Sequence, residues 1–265
     1  MKHRRRESIG ERAASLALAA LMLFACLPFA ASPQAHADAT VLEVGSFDAL
    51  VSLVRQSQTD AFEGRTIVLT ADLDLTGSNM DAAMQELGHL SFGSSSVPFK
   101  GTFDGQGHAI AGLDYNRALF VPAADTGLFA QTQGATIKNL VMRDAYVGAD
   151  FRGGVLVGLA QDTRIENVTL INCTSSVTPA NNAISLITNA GLAGGVLAGE
   201  VNNSVLYNCE VRGGGAINTS TAGVTALGGE GLYLGGLVGT ASGSTIEYCR
   251  VTPQVDSAGT GSSPT

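Results

Sequence analysis

The chain has 265 residues, of which 15 are basic and 23 acidic, giving a formal net charge of −8; it has 33 Gly and no Trp. That acidity excludes nucleic acid and anionic membrane surfaces as partners, because both require clustered Lys and Arg. Charged residues make up only 14% of the chain, and with so much Gly this composition suits many short strands and tight turns rather than a helical bundle.

Residues 1–37 read as an export signal. Lys2, Arg4, Arg5, Arg6 and Arg12 form a basic start, and Ala13 to Ala31 is an almost unbroken apolar run. Ala35-His36-Ala37 is the small-x-small pattern of a signal peptidase site, which places cleavage before Asp38. Two other readings stay open: an uncleaved anchor, since the run nearly spans a bilayer, and a lipoprotein box at Leu23 to Cys26, against which the bulk of Phe24 argues. The export reading predicts a secreted or cell-surface protein of a bacterium with no membrane contact beyond this segment. The mature chain then holds 10 basic and 21 acidic residues, a net charge of −11. Its three cysteines, Cys173, Cys209 and Cys249, are too few and too widely spaced for a disulfide scaffold.

Residues 38–65 are expected to form a helical cap and lead-in. Within them, Ser46 to Ser57 places Phe47, Leu50, Val51, Leu53 and Val54 on one helical stripe, with Ser46 as N-cap. Thr66 to Gly77 then alternates as a strand, and repeats dominate as far as residue 252. A glycine followed by apolar residues recurs at Gly127, Gly154, Gly195 and Gly236, with spacings of 27, 41 and 41. About ten residues after each lies a second segment: Ile137 to Met142, Ile165 to Leu170, Leu206 to Val211 and Ile246 to Val251.

Aligned, these four segments form columns. The first reads Ile137, Ile165, Leu206, Ile246; the fourth Leu140, Val168, Cys209, Cys249; the sixth Met142, Leu170, Val211, Val251. All twelve residues are apolar or cysteine, and the columns between them are mixed or polar. Parallel strands stacked in register about 4.8 Å apart require this pattern. The shift from odd to even columns falls at Asn139, Asn167, Asn208 and Tyr248. It marks a bend, and asparagine tolerates the left-handed conformation a bend needs. Lys138 falls beside Glu166, and Glu210 beside Arg250. The fold class predicted is therefore all-β, a right-handed parallel β-helix with a short N-terminal capping helix. Residues 253–265 read as a linker-like tail, and the chain as part of a longer surface protein.

At Phe99 to Leu113 (FKGTFDGQGHAIAGL) and Thr126 to Leu140 (TGLFAQTQGATIKNL), the chain resembles the GLUG-motif proteins. The resemblance runs from about Thr66 to Val251, with Tyr248 and Ala130 as departures from its pattern. It implies bacterial secreted or surface proteins, including adhesin-like proteins and the N-terminal regions of immunoglobulin-A-cleaving metallopeptidases. The motif is a structural repeat and implies no chemistry.

No residue is put forward as catalytic, cofactor-binding or metal-ligating, and no cofactor is expected. The mature histidines are His89 and His108; there is no HExxH and no GxSxG. Asp104 with His108 is a weak acid/base pair, outweighed by a turn role for His108. Cys209 and Cys249 are expected as buried thiols, with a bridge between them left open. The rival function is an enzyme, a β-helical polysaccharide lyase or glycoside hydrolase. Its carboxylates would be Asp72 with Asp74, or Asp144, Glu166 and Glu247, none of which converges by sequence. The favoured function is a non-catalytic scaffold or adhesin-like binding module, with the accessory region of a secreted metallopeptidase as the other alternative. Its partner is an extracellular protein or glycan, met through the Thr-, Ser- and Asn-rich excursions 174–192 and 213–234.

Overall fold

A computed structural model of the chain describes residues 40–76, 78–88, 90–115, 125–177, 192–217 and 232–252. The export segment, His89 and the tail 253–265 lie outside the described residues. Strands predominate, two helices accompany them, and every strand pair is parallel.

Among the described residues the strands form three sheets. The largest runs through Val41–Val44, Thr66–Leu69, Thr102–Asp104, Thr136–Arg143, Arg164–Val177, Val205–Tyr207 and Thr245–Glu247, in chain order. A second contains Asp125–Thr126, Arg152–Gly153, Leu192–Gly195 and Leu232–Gly235. The third contains Phe129–Gln133, Val157–Gln161, Ala198–Asn202 and Val238–Ser242. Each repeat thus gives one strand to the second sheet, one to the third and then its share of the large sheet, and each strand pairs with its counterpart in the next repeat. We call one such set a tier.

The register is the one the columns demand. Ile137 pairs with Ile165, Ile165 with Leu206 and Leu206 with Ile246. Upstream the same column continues through Phe103, Ile67 and Leu42. Leu140 pairs with Val168, and Leu170 with both Met142 and Val211. All of these from Ile67 to Val211 are buried. The glycine spacing differs from the sequence expectation at one step: Gly195 pairs with Gly235, a spacing of 40, and Gly236 falls in the following turn.

The turns are fixed by left-handed residues stacked in columns. Asn139, Asn167, Asn208 and Tyr248 have φ of 53°, 55°, 51° and 55°. A second corner column holds Gly112, Asp144, Asn172 and Gly213, and a third Gly134, Asp162, Asn203 and Gly243, all with positive φ. Asparagine and glycine reach this region at least cost. The asparagine side chains also bond along the stack: Asn208 Nδ2 donates to Asn167 Oδ1 at 2.9 Å and Asn167 Nδ2 to Asn139 Oδ1 at 3.1 Å. Asn139 Nδ2 ends the ladder on Asp104 Oδ1 at 3.0 Å. Tyr248 keeps the corner conformation without the amide, and its ring packs edge-on to Tyr207 at 5.2 Å.

A different requirement fixes the glycines of the third sheet. A Cβ on Gly199 would lie 2.8 Å from Gly153 N and from Gly158 O, closer than side chains pack. The backbones of the second and third sheets touch there, and only glycine allows it.

Helix α1 (Phe47–Gln56) forms as expected, with Ser46 Oγ accepting from Ala49 N at 3.2 Å and Leu50, Val51 and Val54 buried. Two elements were not anticipated. Strand Val41–Val44 precedes α1 and pairs with Thr66–Leu69. A second helix, α2 (Ser78–Leu87), buries Met80, Ala83 and Met84, and Glu86 holds Arg55 of α1 at 3.0 Å. Beneath them Phe62, Phe92, Phe99, Phe103 and Phe129 form one aromatic cluster, with centroid separations of 5.0 to 6.3 Å.

Val168 sits in the inward column with no surface exposed, so Val168→Asp forces an unpaired carboxylate between Leu140 and Cys209. The expected loss is about 3 kcal/mol or more, read as a fall in the denaturant midpoint; a midpoint equal to that of the parent chain would place Val168 on the outer face.

Candidate functional site

Three intervals of the chain, 116–124, 178–191 and 218–231, share one position in the repeat. Two follow strands of the large sheet that end at Val177 and Ile217, the first follows Tyr115 just past the Asp114–Tyr146 bridge, and each precedes a strand of the second sheet, at Asp125, Leu192 or Leu232. The excursions expected at 174–192 and 213–234 are therefore shorter than proposed. Thr174 to Val177 pairs with Tyr146–Ala149, and Gly214 to Ile217 pairs with Cys173 to Ser176, so these residues belong to the large sheet. Their Ser and Thr content suggested a loop, but Ser175 is buried and donates from Oγ to Gly153 O at 3.0 Å. The remainders of both excursions lie outside the described residues.

The edge these intervals rejoin carries a charge cluster that the sequence reading missed. Asp125 pairs in register with Arg152, and Arg152 with Ala193. Asp125 has only 3% of its side chain exposed. It receives Arg152 Nη2 at 3.0 Å, the Nε of the same guanidinium, and the amide of Gln131. Arg152 Nη1 reaches Glu200 Oε2 at 3.4 Å, and Asn202 Nδ2 holds Glu200 Oε1 at 2.7 Å. Burial pulls the Arg152 guanidinium down, but the bonds and charges of Asp125 and Glu200 outweigh it and hold it above its ordinary value. One permanent cation thus clamps two carboxylates, one from the tier on either side of its own. Every group in the cluster is satisfied, and the arrangement is structural.

A polar ladder accounts for three more buried hydroxyls, those of Thr132, Thr163 and Ser204. Thr132 Oγ1 and Thr163 Oγ1 are 2.9 Å apart, Thr163 N donates to Ser204 Oγ at 3.0 Å, and Ser204 N donates to Ser244 Oγ at 3.0 Å.

The carboxylates weighed for catalysis share no bonding partner among the described residues. Asp72 accepts from Ala109 N at 2.9 Å and pairs with His108 Nδ1 at 3.1 Å; Asp74 accepts from Thr76 N at 2.9 Å. The Ala109 amide, followed by His108, holds Asp72 below its usual range, and Thr76 does the same for Asp74. Burial raises the Asp104 carboxyl, but Gln106 N, Asn139 and Lys138 together bring it below the ordinary value. His108 therefore faces Asp72, not Asp104. Glu166 and Glu247 are separated by Tyr207 in their column, and Asp144 sits at another corner, bonded to Asn172 Nδ2 at 3.3 Å. Among the described residues no three His, Cys, Asp or Glu side chains converge as a metal site. Glu210 does bond Arg250, Nε to Oε1 at 2.9 Å, as the columns imply, whereas Lys138 turns from Glu166 to Asp104 at 3.4 Å.

The three cysteines among the described residues, Cys173, Cys209 and Cys249, are free thiols. Burial pushes Cys173 up to about 11, and burial followed by its neighbour Cys249 pushes Cys209 up to about 12. Both are therefore protonated and shielded at neutral pH. A thiol reagent at pH 7 should modify the partly exposed Cys249 first and reach Cys173 and Cys209 only on unfolding. The thermal midpoint should be the same with and without reductant; a drop of many degrees under reductant would reveal a Cys209–Cys249 bridge.

A family model described as the GLUG motif matches residues 230–252. No curated protein and no solved structure matches the chain. The matched segment is the last tier, and its strands continue the register of earlier tiers position by position, Gly195 on Gly235, Ala198 on Val238 and Leu206 on Ile246. The chain thus carries the GLUG motif, within a stack of tiers that share its strand register.

Proposed function

We propose that the three parallel sheets are the faces of a right-handed parallel β-helix, and that this β-helix is a non-catalytic scaffold exported to the bacterial surface. It acts there as an adhesin-like module within a longer surface protein, and binds an extracellular protein or glycan. One observation carries the reading: 116–124, 178–191 and 218–231 all open at the same step of the repeat. Insertions that recur at one step of a repeat are where recognition commonly varies while the scaffold is kept. Length and composition change there, while the strands between keep their register. The basic start and apolar run of residues 1–37 support export.

The described interior favours a scaffold over an enzyme. Its inward columns are filled by packing, the hydroxyls of Thr132, Thr163 and Ser204 are spent on a ladder, and Asp104 caps a turn while Asp125 clamps Arg152. A hydrolase needs two carboxylates converging on one bond, and of those weighed for that role Asp72, Asp74, Asp144 and Glu166 are each bonded to other groups.

Deleting residues 178–191 should keep a β-rich circular dichroism spectrum and a cooperative melt within about 5 °C of the parent. The same deletion should abolish adhesion to host matrix proteins or arrayed glycans. The mature chain should release no reducing ends or unsaturated products from pectin, alginate or glycosaminoglycans, with or without calcium. Turnover of any of these, lost on Asp72→Asn or Asp74→Asn, would replace the scaffold by a lyase or hydrolase; undiminished adhesion after the deletion would move the binding surface elsewhere.

A further inference from the structure

Two outward columns of the large sheet change character together. One reads Lys138, Glu166, Tyr207 and Glu247, and the corner column beside it reads Asn139, Asn167, Asn208 and Tyr248. Both columns face solvent even with tiers above and below: Asn167, Tyr207 and Asn208 each have a tier on either side and are exposed. Tyr207 and Tyr248 are diagonal neighbours in adjacent tiers, with ring centroids 5.2 Å apart and planes at 71°. An edge-on pair leaves one ring with both faces uncovered by the other.

Folding alone does not account for Tyr248. A bulky side chain enters the left-handed region at higher cost than asparagine or glycine, yet Tyr248 holds a φ of 55°. It also breaks the amide ladder. Asn208 Nδ2 donates to Asn167 Oδ1 at 2.9 Å, but the next corner residue, which would donate to Asn208 Oδ1 in turn, carries a phenol in place of an amide. Asn208 Oδ1 accepts no side-chain amide there and stands open beside the rings. A strained residue that gives up a bond its column otherwise makes points to a task outside the fold.

The groups around the rings select a class of ligand. Glu166 lies under Tyr207 and takes Arg164 Nε at 2.6 Å, and Glu210 takes Arg250 at 2.9 and 2.6 Å. Glu247, in register with Tyr207, adds a carboxylate and disfavours an acidic ligand. The exposed guanidiniums of Arg164 and Arg250 disfavour a cation. A neutral pyranose fits what is left. Its C–H face is apolar and weakly positive, as the negative face of a tyrosine ring requires, and its hydroxyls donate to Asn208 Oδ1 and Glu247.

We propose that Tyr207 and Tyr248, with Asn208 and Glu247, form a platform on which a neutral sugar ring of an extracellular glycan stacks. The proposal rests on the binding-module reading, to which it adds a second and weaker contact on the large sheet. Two rings hold a sugar with a Kd of about 1 mM. That is too weak to retain a cell, so adhesion still depends on the intervals.

The test is a titration of the mature chain with the neutral trisaccharides of glucose, N-acetylglucosamine and mannose, with trigalacturonate and trilysine as the acidic and cationic probes. The chain has five Tyr and no Trp, so tyrosine fluorescence reports on the rings directly, and saturation transfer from protein to sugar reports contact. At least one neutral trisaccharide should bind saturably, and neither charged probe should bind as well. Tyr248→Asn restores the asparagine of the column, so it should melt no lower than the parent, yet bind that sugar about tenfold or more weakly. The chain lacking 178–191 should keep the sugar while losing adhesion, which separates this site from the intervals. Absence of saturable binding by every neutral probe, tighter binding of trigalacturonate or trilysine, a Tyr248→Asn chain that binds as the parent does, or loss of the sugar in a folded deletion chain would each overturn the proposal.

Discussion

Each tier has to turn in the same place as the one before it, and the rest of the structure depends on that coincidence. Side chains alternate across a strand, so a corner displaced by one residue sends every inward side chain of the following strand outward. The chain prevents this with residues that enter the left-handed region at a defined point: Asn139, Asn167 and Asn208 at one corner, Asp162 and Asn203 at another, Asp144 and Asn172 at a third. For most residues that conformation costs about 1–2 kcal/mol. Asparagine lowers the cost, and at the first corner its amide also bonds the asparagine of the next tier. Conformation and stacking are thereby coupled in one residue type.

Much of this was legible because it repeats. The shift from odd to even columns across Asn139, Asn167 and Asn208 is visible in the letters, and it predicts both the bend and the pairing of Ile137 with Ile165 and Leu206. The helix of Phe47–Gln56 was legible from its cap and stripe. Helix α2 was passed over although Met80, Ala83, Met84 and Leu87 have helical spacing, because no strong cap or long apolar stripe announces it. The second sheet was invisible for a physical reason. Strands such as Asp125–Thr126 and Arg152–Gly153 have two residues each, too few for any period, and their partners lie 27 or more residues away. Hence the Asp125–Arg152–Glu200 cluster could be found only once register was known. Ser175 and Ser176 were misplaced because a polar residue in a strand looks like a loop until its bonding partner is identified.

The interior changes character along the stack. Five phenyl rings fill the end beneath the helices, branched aliphatics fill the middle tiers, and Cys209 and Cys249 follow them. Many polar atoms inside are committed to neighbours one tier away: Thr163 to Ser204, Ser204 to Ser244, Arg152 to Asp125 and Glu200. A core of this kind tolerates change poorly within a column and well between tiers, where the intervals already vary. That contrast underlies the proposal that recognition belongs to the intervals and endurance to the strands.

The stacked left-handed corner is most directly tested at Asn167, by comparing Asn167→Gly with Asn167→Ala in equilibrium denaturation. In an ordinary strand position glycine is the worse of the two by about 0.5–1 kcal/mol. Here both lose the amide bonds to Asn139 and Asn208, but only alanine must strain to reach a φ of 55°. The expected order is therefore reversed, with alanine less stable than glycine by about 1 kcal/mol. An Asn167→Ala chain as stable as, or more stable than, Asn167→Gly would contradict the account.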